Sequence, residues 1–439
     1  MKFLPFHGYR FARGQRLRGH RARLLIACQP WLCLAALPAH AAEVALPGAL
    51  GGLSAGALPG APSGFTDSTA GAAALLGGAG GSLLDGLVVG TTFSSTYNSN
   101  VSGSQYLADD GAAKDDFILG LGGSLAYLSK ASGLTFGGNY RGNYNQYFNH
   151  SDYSGYSQGG GVVASYEGGR FTLSANAGLD LDRGNNSNYS SSFVEQTSIR
   201  TGVTARYKVS PKTSLLGNYS QSFTTASENR YSDTSSYDLG LSAMWRYSAL
   251  TEFGPGLRYT YRSGSSQTGR TSLGPTLSVN YKLSAKVALN SRVGMDFASY
   301  DNGGSADPTF STSLGLNYQA STLWGMNLTL YRDTQADTSL VGGFTQLTSL
   351  QVGYHRKVRR AVWSLSAGYQ TNSYERPGSV LSGERPGQDH FTINTSLGMP
   401  VFADTCSASV FVGYQDQSSG SAGNSWDSIQ AGFSLSRSF

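Results

Sequence analysis

The feature that most constrains this chain is a two-residue alternation of apolar and small polar side chains, which recurs from Leu87 to the C-terminus. Phe171, Leu173, Ala175, Ala177, Leu179 and Leu181 alternate with Thr172, Ser174, Asn176, Gly178, Asp180 and Asp182, and Phe391, Ile393, Leu397 and Met399 do the same against Thr392, Asn394 and Ser396. Two is the period of a strand, whose successive side chains point to opposite faces. Eighteen such runs can be counted, beginning near Leu87, Asp116, Leu134, Gln158, Arg170, Thr197, Thr213, Tyr237, Glu252, Arg270, Lys286, Phe310, Leu323, Phe344, Val362, Asp389, Cys406 and Ser428. Their connections alternate in length. Short ones such as Glu167-Gly168-Gly169 and Ser210-Pro211-Lys212 take turns with long polar ones such as Asn98 to Lys114 and Thr371 to Gln388. Outer-membrane barrels have this rhythm, with short periplasmic turns, longer external loops and an even strand number. The expectation is an all-β fold, a transmembrane antiparallel β-barrel of about 18 strands, with sixteen as the nearest alternative.

Composition decides which face is inside. Only 13% of the residues are charged, against about 25% in an ordinary soluble domain, so the polar face of Ser, Thr, Asn and Gly suits a hydrated lumen better than a soluble exterior. The aromatics agree. Tyr127, Tyr166, Tyr207, Tyr247, Tyr281, Tyr318 and Tyr354 each stand just before a short turn and share the parity of the apolar set, joined by Trp245, Trp324 and Trp363. A periplasmic aromatic girdle requires that placement. Tyr97, Tyr144, Phe223, Tyr261, Phe297, Tyr369 and Tyr414 would form the upper belt.

Residues 1–41 read as a secretory signal peptide, with a basic start, an apolar stretch from Leu24 to Leu37 and the cleavage site Ala39-His40-Ala41. The leader holds seven basic residues and no carboxylate, so the formal charge of +5 becomes −2 without it. The basic balance therefore supports no nucleic-acid partner. Cys28 and Cys33 leave with the leader, and Cys406 has no partner for a disulfide. Residues 42–86 are a Gly/Ala-rich, low-complexity stretch, read as a periplasmic segment or, alternatively, a plug in the lumen. Residues 87–439 form the barrel.

The element Thr91-Thr92-Phe93-Ser94-Ser95-Thr96-Tyr97-Asn98-Ser99-Asn100-Val101 resembles the opening strand of the beta-barrel porin 2 family. That resemblance implies an outer-membrane barrel, often found with exopolysaccharide or capsule systems, and brings no catalytic residues. The last run, Ile429, Ala431, Phe433 and Leu435 before the terminal Phe439, resembles the signal that barrel-assembly machinery reads, although Arg437 on the outward parity departs from it.

By parity, Arg141, Arg200, Arg206, Arg246, Arg258, Arg262, Arg270 and Arg292 point into the lumen, against Asp116, Asp180, Asp182, Asp238 and Asp296. These arginines are the candidate selectivity residues, with Arg258, Arg262, Arg270 and Arg292 converging on one sector. Pairing along the wall is the alternative, with Asp238 near Arg262 and Asp296 near Arg292. His150, His355 and His390 are the histidines beyond the leader; the first two read as solvated rim residues, and His390 lacks a catalytic partner motif. Asp109, Asp110, Asp115 and Asp116 match no calcium-loop spacing and read as solvated loop charge. No catalytic residue, metal site or cofactor is expected. The expected function is a passive channel for polar or anionic solutes in the outer membrane of a Gram-negative bacterium. Its rivals are an exopolysaccharide export barrel and a closed structural barrel. Expected partners are outer-membrane lipid, the barrel-assembly machinery and, on the export reading, exopolysaccharide or its export apparatus.

Overall fold

The computed structural model describes residues 86–101, 114–185, 193–227, 232–265, 269–284, 286–336, 343–375, 387–402, 405–419 and 425–439. The leader, nearly all of the Gly/Ala-rich stretch, and Asp109 and Asp110 lie outside them. The strands are β1 (Leu87–Asn98), β2 (Asp116–Ala131), β3 (Leu134–Tyr147), β4 (Gly155–Glu167), β5 (Phe171–Asn185), β6 (Phe193–Lys208), β7 (Thr213–Ala226), β8 (Thr234–Arg246), β9 (Thr251–Gly264), β10 (Arg270–Ser284), β11 (Val287–Tyr300), β12 (Thr309–Ser321), β13 (Trp324–Ala336), β14 (Phe344–Val358), β15 (Ala361–Glu375), β16 (Gln388–Phe402), β17 (Cys406–Ser419) and β18 (Trp426–Ser438). Every strand starts within four residues of where the alternation begins. The largest difference is β6, because its ladder with β5 continues to Asn185 opposite Phe193, beyond the apolar alternation.

Each strand pairs antiparallel with the next, and β18 pairs with β1, so the sheet of eighteen closes on itself. Gly90 faces Ser438 and Asn98 faces Gln430 across that seam. The element that resembles a family motif staples it. Asn98 Oδ1 accepts from Ser428 Oγ at 2.7 Å, Asn100 Nδ2 donates to the Asp427 carbonyl at 3.0 Å, and Ser99 Oγ accepts from the Ile429 amide at 2.8 Å. Arg437 stacks on Phe439, with its guanidinium carbon 4.6 Å from the ring centroid, which covers part of a charge standing on the outward parity.

Burial is inverted relative to a soluble protein. Leu121 and Leu241 are 66% and 60% exposed on the outer face, while most buried residues are Ser, Thr, Gln, Asp and Arg on the inner one. A transmembrane barrel has this arrangement. Short turns close one end; Ser132 and Gly133 both adopt positive φ (42° and 82°), as a two-residue hairpin loop of matching twist requires. A Cβ on Gly133 would stand 2.6 Å from the Glu167 carbonyl oxygen.

The barrel is not round. Pro255 and Pro275 occupy adjacent strands, preceded by Gly254 and Gly274. Ladder pairing lapses beside both, between Ser242↔Gly256 and Trp245↔Phe253 on the β8 side and between Leu273↔Phe297 and Thr276↔Gly294 on the β11 side. A proline brings no amide donor to a ladder, and a strand glycine marks a tight bend. A Cβ on Gly254 would lie 2.1 Å from the Ala243 carbonyl oxygen, and one on Gly274 would lie 1.6 Å from that of Met295. The wall creases here. Beyond the crease the backbones of β8 and β9 come within 8 Å of β13. In a round eighteen-stranded barrel, strands four apart would be separated by about 20 Å.

Candidate functional site

The inner wall offers two arginine groups in different surroundings. In the creased sector, Arg258 of β9 donates through Nε to Asp238 Oδ2 at 2.7 Å and through Nη2 to the same oxygen. It also reaches Asp333 of β13, with Nη1 at 3.2 Å from Oδ1 and Nη2 at 2.8 Å from Oδ2, while Asp296 Oδ2 lies 3.7 Å from Nη1. Arg262 donates through Nη2 to Asp333 Oδ2 at 2.6 Å and through Nε to the backbone carbonyl of Thr334. Tyr331 adds a hydroxyl donor to Asp333 at 2.9 Å. Asp333 is therefore the centre of a network joining β8, β9, β11 and β13. Its side chain is 4% exposed and that of Arg262 7%.

Above this network, Phe344 of β14 is fully buried against Tyr300 of β11, with ring centroids 5.7 Å apart. The Arg270 guanidinium lies 5.9 Å from the centroid of the same ring, and its Nη2 is 3.5 Å from Thr309 Oγ1. Arg292 also faces inward, paired in register with Ser278, and makes no ion pair among the described residues.

The second group stands on β3, β5 and β6. Arg141 Nη2 is 3.2 Å from Asp180 Oδ1, and Arg200 Nη1 is 4.0 Å from Asp180 Oδ2. Both arginine side chains are 38% exposed. Arg141 reaches a carboxylate two strands away because Gly159 lies between them; a Cβ there would stand 2.4 Å from Asp180 Oδ1. Toward the turn end, Arg206 pairs with Glu252 and its Nη2 donates to Ser214 Oγ at 3.0 Å. Arg246, at the end of β8, is exposed.

Sequence parity places all eight arginines on the inner face, and Arg262 does stand opposite Arg270. Two pairings and two expectations of solvation need correction. Asp238 meets Arg258 rather than Arg262, because its own register partner is Thr260 and Arg262 is drawn to β13. Asp296 also meets Arg258, not Arg292. Asp116 is no solvated charge: its carboxylate accepts from the amides of Phe117, Phe148, Asn149 and His150 at 2.7 to 2.9 Å. His150, expected to be solvated, completes that cap with Nδ1 3.1 Å from Asp116 and its ring stacked on Tyr153 at 5.2 Å. In this loop, burial, aided by the charge of Asp152, pushes the Tyr153 phenol above its ordinary pKa. His355 is exposed at the turn end. His390 lies beside Trp426 at 6.1 Å, and its Nδ1 finds no hydrogen-bond partner among the described residues.

Asp333, Glu252, Tyr331 and Phe344 escaped the sequence reading. Parity alone puts Asp333 and Tyr331 inward with Asn327 and Thr329, so that signal was present; the contact with β9 was not. At the turn end, Tyr318, Trp324, Tyr354 and Trp363 form an unbroken chain of rings 5.4 to 6.0 Å apart, and Trp245 packs on Tyr247 at 5.8 Å. Tyr127, Tyr166 and Tyr207 stand exposed on the outer face at the same end, and Tyr281 is half-buried there.

No family model and no curated protein matches the chain. Solved structures that resemble it include OpdK of Pseudomonas aeruginosa with vanillate, at 12% identity and a TM-score of 0.41 over 82% of this chain and 100% of that one. OccAB3 of Acinetobacter baumannii is similar at 12% identity and a TM-score of 0.40, covering 81% of this chain and 100% of that one. OpdQ of Pseudomonas aeruginosa is similar at 10% identity and a TM-score of 0.41, covering 81% and 97%. The eighteen-stranded architecture of the present chain rests on its own strand register.

Proposed function

We propose that the protein is a passive channel for polar and anionic solutes in the outer membrane of a Gram-negative bacterium, delivered there by a cleaved leader and the barrel-assembly machinery and surrounded by outer-membrane lipid. The observation that carries this reading is the closed barrel of eighteen strands with an apolar exterior and an interior of hydroxyls, amides and partly exposed arginines. Barrels of that size have room for an aqueous path. The Tyr97 to Val101 element supports membership of the beta-barrel porin 2 family. Single-channel recording on purified protein in a planar bilayer tests the function: a channel gives regular conductance steps, and a closed structural barrel gives none. Acidic oligosaccharides that block those steps more strongly than neutral ones would support the anionic preference; equal block would remove it.

A further inference from the structure

We infer that the β14–β15 turn binds an anionic glycerophospholipid, whose phosphate is held by Arg356, Arg359 and Arg360 beside the aromatic rings at the ends of β13 to β15. The inference needs the barrel in the outer membrane with its short turns toward the periplasmic leaflet. It does not need the lumen to conduct.

Arg356, Lys357, Arg359 and Arg360 are four cations within five residues, all exposed. None has an ion-pair partner among the described residues. The three consecutive short turns between β12 and β17 hold these four cations and one carboxylate, Asp404, so the charge there is far from balanced. Direction separates this turn from the others. Lys130, Lys208, Arg246 and Lys282 take the inward parity of their strands, as Lys357 does, whereas Arg356 takes the outward one. Arg356 pairs in register with Trp324 on one side and Trp363 on the other. Residues directly opposite in a ladder share a face, with Cβ atoms about 4.5–5.5 Å apart, so the guanidinium leaves the wall between two indoles. Tyr354, the next outward residue of β14, packs on both, at 6.0 Å from Trp324 and 5.4 Å from Trp363. Toward the turn, the outward face of β14 thus reads Leu350, Val352, Tyr354, Arg356. That is the order of acyl chain, interface and phosphate in a lipid leaflet.

The turn itself adds a second observation. Val358 pairs with Ala361, so Arg359 and Arg360 form a two-residue hairpin loop, and Arg359 has a φ of 56°. Glycine enters that region freely, whereas an arginine there is strained. The strained position holds a guanidinium at the tip of the turn beside that of Arg360. Paired guanidiniums match the oxygens of a phosphodiester bidentately.

Fluorescence quenching in lipid nanodiscs tests the site. In a Trp245→Phe/Trp426→Phe background of the leaderless protein, Trp324 and Trp363 report on it. Dibrominated phosphatidylglycerol should quench them in preference to dibrominated phosphatidylcholine, with a relative association constant of about five or more at low salt. The Arg356→Ser/Arg359→Gly/Arg360→Ser variant should lose that preference. Glycine at 359 suits the positive φ, and the heat-modifiable band checks that the variant folds. Trp245, six strands away along the wall, is the control when Trp324, Trp363 and Trp426 are replaced by Phe, and it should show no comparable preference. Equal preference at Trp245, or a preference that survives the triple variant, overturns the inference. So does displacement of the brominated lipid by inorganic phosphate, which would make this a site for the free ion. Selective quenching by a barrel that gives no conductance steps overturns the channel reading and leaves the lipid site standing.

Discussion

Arg258 and Arg141 face the same lumen from the same kind of strand, yet they end in opposite states. Arg258 is enclosed by Asp238, Asp296 and Asp333 from three other strands, while Arg141 reaches Asp180 across Gly159 and keeps 38% of its side chain exposed. The difference does not lie in the arginines. It lies in the wall behind them: a Gly-Pro crease brings β13 to β9, whereas Gly159 merely lets Arg141 reach its neighbour while the wall stays open. A lumen-facing charge therefore stays open to water only where the opposite wall is far enough away.

That contrast can be broken first at its centre. Asp333→Ala takes from the buried Arg262 its carboxylate and from Arg258 one of its three, and removing one partner from a buried ion network costs about 3–5 kcal/mol. The expected outcome is a large fall in the urea midpoint of the barrel in micelles at fixed detergent, with the band shift of the heat-modifiable form moved to lower temperature. An unchanged midpoint would mean that the network does not hold the sector together. Phe344→Ala should follow at about 3 kcal/mol, since it empties a fully buried ring site between Tyr300 and Arg270. Asp180→Ala in the open sector should cost under about 1 kcal/mol, because exposed ion pairs contribute little, while measurably raising anion preference. A stability loss there as large as that of Asp333→Ala would erase the distinction between the two sectors.

Much of this architecture was legible in the sequence because barrels expose their construction rule residue by residue. The period of two assigns each side chain a face, so the eighteen strands and their closure into a barrel could be read directly. Parity carries no information about what stands across the lumen. Asp333 and Arg262 are 71 residues apart and four strands apart along the wall, and only the crease makes them neighbours. The one local trace of that crease was the pair of Gly-Pro steps at 254–255 and 274–275, aligned in register so that Pro255 faces Leu277 and Pro275 faces Leu257. Asp116 was misread for a related reason. An acidic loop in sequence became a buried cap once the amides of the β3–β4 connection converged on it.

Whether the wall folds inward is decided by the proximity of β9 and β13. Nitroxide labels at Gly264→Cys and Gln335→Cys, at the loop-side ends of β9 and β13 in a Cys406→Ser background, report whether these strands meet in the inserted protein. The expected result is strong dipolar broadening of the double-labelled spectrum relative to the sum of the single-labelled ones, relieved when Asp333→Asn is introduced. Sharp spectra from the double-labelled protein, as from labels about 20 Å apart in a round barrel, would contradict it.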